Sequence, residues 1–336
     1  MEQDAQLESK SPPIWRSRID AAFDKVLQIR ELTTLVPLLL ICIGVSLYNP
    51  VFLSYYNFIS IARAVALTAI VALGMTYVLI AKEIDLSVGS TLGLAGVTAG
   101  WLLVRGAPIW LGIVAGLLTG LAVGLLNGVL IVRLRIPSMI VTLGTMYMGR
   151  GLIYVITMGS PIYPMPAQLQ EIGVGKIAGI PNAVYILAVM AIFAHFILRR
   201  TIYGREVQAV GGDVEASRVT GIDVNRVRVS VFVVAGFCAG VAGVLMLGRL
   251  NSAEPGAGFN QEMIVIASTI IGGTSMAGGS GTIVGTLIGS ALTGVLVSAL
   301  VLLGIPSYWE KVVVGAIIIL AVTIDYYQRR KLLRQD

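Results

Sequence analysis

Charge is what this 336-residue chain has least of: Asp, Glu, Lys and Arg together make up 12% of it, about half the usual share for a soluble domain. A water-facing surface cannot be built from so few charges, and a globular soluble fold is excluded. There is one histidine and there are two cysteines, so no transition-metal ligand set and no disulfide framework can be assembled. Cys42 and Cys238 both fall in apolar runs and are expected to be small core residues. No Gly-Lys-Ser or Gly-Lys-Thr follows any glycine cluster, which removes nucleotide hydrolysis by this chain itself. No nucleophile stands beside a base in a recognisable pattern, so the chain is not read as an enzyme.

What fills the space is apolar. Hydrophobic residues are 56% of the chain and the mean hydropathy is +0.87. A span takes about 20 apolar residues, and on that rule the sequence predicts an all-α polytopic membrane protein of about ten transmembrane helices, some short or broken. The expected spans are 32–48, 59–81, 86–104, 109–132, 136–158, 183–198, 229–250, 261–271, 282–303 and 311–324. Glycine is abundant at 39 residues. It recurs every fourth residue at Gly112, Gly116, Gly120, Gly124 and Gly128, a smooth stripe against which another backbone can lie.

The net charge of +6 fits basic loops on the inner side of a membrane, and no nucleic-acid partner is implied. Arg133-Leu-Arg135, the central polar stretch and the basic C-terminus all fall on one side if the N-terminus is cytoplasmic. The division is then a tail at 1–31, a membrane domain at 32–326 and a second cytoplasmic tail at 327–336. Trp15, Ile19, Phe23, Val26 and Leu27 are spaced as an amphipathic surface helix. Residues 159–181 form the longest outer segment, in which Pro161, Pro164 and Pro166 forbid a continuous helix. His195, alone of its kind, is expected to be a packing residue.

The one long polar segment runs from Arg199 to Arg228, with six arginines and four acids that cannot lie in lipid. Gly211-Gly212-Asp213 reads as a turn and a helix start. Val214 to Val219 then makes about one and a half turns before Gly221 stops it. Such a helix on a membrane face, tied to spans on both sides, can transmit a push.

Polar residues at membrane depth are few. Asp85 and Ser87 are placed either to cap the helix that follows or to line the inner mouth of a pathway. Asn127 and Arg150 suit a polar pathway or a helix-to-helix hydrogen bond equally. The turn from Gly272 to Gly281 holds Thr274 and Ser275 and marks a close-packed inner turn beside a broken helix. It also echoes the layout of 73–89, as an internal repeat would. Acids otherwise sit in turns, apart from Glu262 and Glu310 near outer ends, which argues against an ion-coupled secondary transporter.

Several short motifs occur together: Gly74-Met75-Thr76, Ile84-Asp85-Leu86-Ser87-Val88-Gly89-Ser90, Gly128, Pro137 to Leu143, Gly159-Ser160-Pro161, Gly211-Gly212, Gly221-Ile222-Asp223-Val224-Asn225, Gly272-Gly273-Thr274-Ser275 and Gly278-Gly279. In this combination the chain resembles the permeases of ribose-type ABC importers, from about Tyr56 to Ile324. The resemblance implies a multi-pass subunit of the bacterial inner membrane with both termini cytoplasmic. It would work with a second permease chain, the same or different, a cytoplasmic ABC ATPase and a periplasmic substrate-binding protein. No cofactor is implied, and the cargo would be a monosaccharide such as ribose, or a related solute such as autoinducer-2. The resemblance assigns Gly204, Arg205, Gly211, Gly212, Asp213, Glu215, Arg218 and Gly221 to ATPase coupling. Asp85, Ser87, Asn127, Arg150, Thr274 and Ser275 remain candidates for the pathway.

Overall fold

A computed structural model describes residues 30–306 together with 308, 309, 311–313, 315, 316, 319 and 323. The expected surface helix around Trp15, residues 1–29 of the N-terminal tail, the C-terminal tail, Glu310 and half of the tenth expected span lie outside the described residues. Helix α1 (Arg30–Tyr48) is followed by a 3-10 turn (Pro50–Leu53), then α2 (Tyr55–Ile80), α3 (Val88–Val104), α4 (Ile109–Leu134) and α5 (Ser138–Thr157). After α6 (Ala167–Val174) comes a two-residue hairpin, β1 (Lys176–Ile177) against β2 (Ile180–Pro181). The chain continues through α7 (Asn182–Arg200), α8 (Ile202–Gly212), α9 (Val214–Val219), α10 (Val224–Leu250), α11 (Gln261–Ile271) and α12 (Ile283–Leu302).

Six of these helices are long and apolar enough to cross a membrane: α2, α4, α5, α7, α10 and α12. Three shorter apolar helices, at 34–48, 88–104 and 261–271, accompany them. The long outer segment is broken where its prolines fall, but it contains α6, whose N-cap is Pro166. α10 begins at Val224 rather than at Val229, so Arg226 and Arg228 are helical.

α10 and α2 form the spine. α10 packs along α4, α2, α3 and α6, and α2 packs along α10, α12, α7 and α11. The glycine stripe explains the closest of these contacts. A Cβ on Gly120 would strike the backbone of Gly236 and Gly240, one on Gly124 would strike Phe232, and one on Gly128 would lie 2.7 Å from Val229 Cα. Without side chains between them, the two backbones meet directly, and packing replaces the hydrophobic driving force that lipid cannot supply. α2 is tied to α12 inside the core by Thr76 and Thr286, whose hydroxyls lie 2.7 Å apart.

Two expectations change here. Gly211-Gly212 is not a turn: both glycines end α8, and only Asp213 leaves the helical conformation. The glycines do not break the helix because Gly211 is buried against Ile80 and Gly279, and close tertiary contact overrides weak local propensity. His195 lies on an exposed face of α7 beside Ile192 and Phe196, themselves 69% and 58% exposed. It is no packing residue within this chain.

Candidate functional site

The turn between α2 and α3, residues 81–87, is where five other elements meet. Its backbone starts this network. The Ile84 N–H donates to Ser138 Oγ at 3.2 Å and the Leu86 N–H donates to Thr142 Oγ1 at 3.1 Å. Ser138 and Thr142 are four residues apart and therefore share a face of α5. The turn thus obtains from side chains the partners that its irregular backbone lacks.

Its acids are used inward. Asp85, 2% exposed, accepts from the Ser87 N–H at 2.8 Å and from Ser87 Oγ at 2.6 Å. Asn127 Nδ2 on α4 donates to Ser87 Oγ at 2.8 Å, which completes a buried chain from Asp85 through Ser87 to Asn127. Ser87 stands at the N-cap of α3 but makes no side-chain cap hydrogen bond. The capping expectation therefore fails for Ser87, whose hydroxyl donates to Asp85 instead, while Asp85 accepts the amide of Ser87 at the helix start. Burial pushes the Asp85 carboxyl above its ordinary range, while the Ser87 hydrogen bonds pull it down. Glu83 pairs with Arg228 Nε at 2.8 Å. That ion pair fastens the turn to the first turns of α10 and gives Arg228 a countercharge there, while Arg226 is exposed.

The fourth partner is the turn between α11 and α12. The Gly279 N–H donates to the Ile80 carbonyl at 2.8 Å, so the two turns that echo one another in sequence touch in space. Thr274 and Ser275 are buried in that turn. α8 closes the junction. A Cβ on Gly211 would collide with the Ile80 carbonyl and come within 2.7 Å of the Gly279 nitrogen, whereas one on Gly212 would meet nothing within 4 Å. The end of α8 is therefore wedged between the α2 and α11–α12 turns.

From this wedge α9 projects. Asp213 caps it, accepting from the N–H groups of Glu215 at 2.9 Å and Ala216 at 3.0 Å. Gly221 follows it with φ +87°, where any side chain would be strained. Glu215 and Arg218 pair with each other at 2.8 Å on the exposed face. Arg205 is also exposed, and Gly204 is buried against the end of α7.

Arg150 belongs to a different place. It donates from Nη1 to the Ala257 carbonyl at 2.6 Å and from Nη2 to the Gly258 carbonyl, with its guanidinium 5.4 Å from the Phe259 ring. These contacts hold the 251–260 loop against α5 at the far end of the bundle. Arg150→Gln is expected to cost about 2 kcal/mol through two lost charged hydrogen bonds. Faster amide exchange at 256–260, with the rest of the protection pattern retained, is the measurement that checks it.

At that far end a cavity of about 360 Å3 opens among α2, α10, α11 and α12. Asn57, Ser60, Thr68, Arg249, Gln261, Thr293 and Ser298 supply its polar groups, and none of the six pathway candidates lines it. Sequence reasoning missed these residues because they come from four distant segments, each carrying one or two unremarkable polar side chains.

The described residues thus form an apolar helical bundle with a polar junction at one end and a partly polar cavity at the other, an architecture a membrane transport subunit can use. Residues 57–322 match the family described as branched-chain amino acid transport system / permease component, and the chain belongs to that family. It is a multi-pass membrane permease component. The chain is 39% identical over 301 residues to the ribose import permease protein of Haemophilus influenzae, covering 88% of this chain and 93% of the relative. It is 39% identical over 305 residues to the Bacillus subtilis protein of the same name, covering 90% and 94%. The L-arabinose ABC transporter permease protein of Azospirillum brasilense is 36% identical over 286 residues, with coverage of 85% and 84%. No solved structure matches the chain.

Proposed function

We infer that this chain forms the membrane path of an ATP-driven importer for a monosaccharide of the pentose class, with α9 seated on a cytoplasmic ATPase. The observation that carries this reading is the wedge at Gly211. A force on α9 has no slack to cross, because the preceding helix is in backbone contact with both the α2–α3 and the α11–α12 turns. The seat comprises Arg205, Asp213, Glu215 and Arg218, with Gly204, Gly211, Gly212 and Gly221 giving it shape. A second permease chain, the same or different, completes the path, and a periplasmic binding protein delivers the solute. Both termini are then cytoplasmic.

The relatives named for ribose and for L-arabinose favour a neutral polyol as cargo. A pentose needs hydroxyl and amide partners, which Asn57, Ser60, Thr68, Gln261, Thr293 and Ser298 supply in the cavity between α2 and α12, beside a single arginine, Arg249. Asp85, Ser87, Asn127, Thr274 and Ser275 act in this reading as the hinge of the path, since they are at most 2% exposed. Arg150 shapes its outer mouth.

The test is uptake of labelled ribose and labelled arabinose by proteoliposomes holding this chain, its ATPase and its binding protein. ATP-dependent accumulation of either pentose is expected. Accumulation driven by a proton gradient without ATP would overturn the reading. Ser60→Trp, which fills the cavity without removing a hydrogen bond, is expected to cut uptake roughly tenfold or more while ATP hydrolysis persists.

A further inference from the structure

Beyond the import cycle, we propose that the basic cavity between the α4–α5 turn and α9 holds the phosphate of an anionic phospholipid headgroup. The cavity measures about 820 Å3 and is lined by four arginines, Arg133, Arg135, Arg218 and Arg228, with one acid, Glu83. The two ion pairs among the described residues engage Arg228 with Glu83 and Arg218 with Glu215. Among the described residues neither Arg133 nor Arg135 has an acidic partner, and both line this cavity.

Two further features select the occupant. Arg135 occupies the left-handed region at φ +55° as the C-cap of α4, a position a glycine or asparagine would fill with less strain. The turn has an arginine where the backbone alone would favour neither its size nor its charge. Leu134, Met139 and Ile140 flank the arginines and are 58%, 50% and 60% exposed, on two helices apolar enough to span a membrane. The guanidinium groups therefore stand at the level where an apolar helix surface ends. At that depth a cation meets lipid phosphate, and the apolar neighbours meet acyl chains. A soluble phosphate would use the arginines and leave the three apolar side chains without a role. An acidic segment of a protein partner would also leave them in contact with water.

A lipid held here would bridge the α4–α5 turn to the first turns of α10 across the Glu83–Arg228 pair, beside α9, whose Arg218 is paired with Glu215 and left to the proposed ATPase seat. The bilayer would then steady the same junction that the import cycle moves. The inference needs only that the helices lie in a bilayer, so it stands or falls separately from the direction of transport and the identity of the solute.

The test is native mass spectrometry of the full chain released from nanodiscs of mixed phosphatidylcholine and phosphatidylglycerol. Wild type is expected to retain phosphatidylglycerol in preference to phosphatidylcholine. The double variant Arg133→Gln with Arg135→Gln is expected to lose roughly thirtyfold in that affinity, as two arginine contacts to an anionic headgroup are removed. Arg133→Lys with Arg135→Lys keeps the charge and is expected to keep most of the retention, which controls for folding. Inorganic phosphate in excess is expected not to displace the lipid. Equal retention of the two lipids, unchanged phosphatidylglycerol retention in the glutamine variant, or displacement by inorganic phosphate would each overturn the proposal.

Discussion

Gly211→Val is expected to stop ATP-driven uptake, whereas Gly212→Val one residue later leaves the bundle intact. A valine at position 211 must displace either the Ile80 carbonyl or the Gly279 amide, and so opens the hydrogen bond that joins the two turns. Overpacking of this kind costs about 1 to 3 kcal/mol. At position 212 the added atoms enter open space, and any transport defect there reports contact with the ATPase rather than damage to the fold. The pair separates two roles that a double replacement would confound. Melting temperature in detergent, read beside uptake and ATP hydrolysis in proteoliposomes, checks it. Equal stability and equal uptake for Gly211→Val and wild type would show that the wedge carries no force.

The second large effect falls on the spine. Gly120→Leu is expected to destabilise the bundle by about 3 kcal/mol, because a side chain there pushes α4 away from Gly236 and Gly240 of α10 and forfeits packing along the contact. Gly144→Leu, on α5 with nothing within 4 Å of the added atom, is the matched control and is expected to melt close to wild type. Thermal unfolding monitored by circular dichroism distinguishes the two. A melting temperature for Gly120→Leu equal to that of the control would contradict backbone-to-backbone packing between α4 and α10.

Much of this architecture was legible because lipid imposes simple rules. Continuous apolar runs gave the long helices to within a few residues, since a helix satisfies every backbone group within one segment in hydrocarbon. The glycine stripe on α4 announced a close neighbour, though not which helix it would be. Asp213, Val214 to Val219 and Gly221 spelled out α9, because an N-cap and a left-handed stop are local chemistry.

What stayed hidden depended on distant partners. Nothing near Gly211 in sequence says that Ile80 and Gly279 will enclose it, so two adjacent glycines read as a turn. Arg226 and Arg228 looked like loop residues until Glu83, about 145 positions earlier, supplied a buried countercharge to Arg228. Asp85 and Ser87 have the composition of a cap, but Asn127 from α4 draws them into a lateral chain instead. The cavity beneath Asn57 and Ser298 had no signature, because its polar groups are spread over four elements.

The account rests on α9 facing the cytoplasm and meeting the ATPase there. Glu215→Cys, in a background with Cys42 and Cys238 replaced by serine or alanine, makes this directly measurable with a membrane-impermeant thiol reagent on sealed vesicles of both orientations. The expected result is labelling in inside-out vesicles stripped of ATPase, protection when the ATPase is added back, and no labelling in right-side-out vesicles. Labelling from the outer side, or inner labelling that added ATPase leaves unchanged, would contradict it.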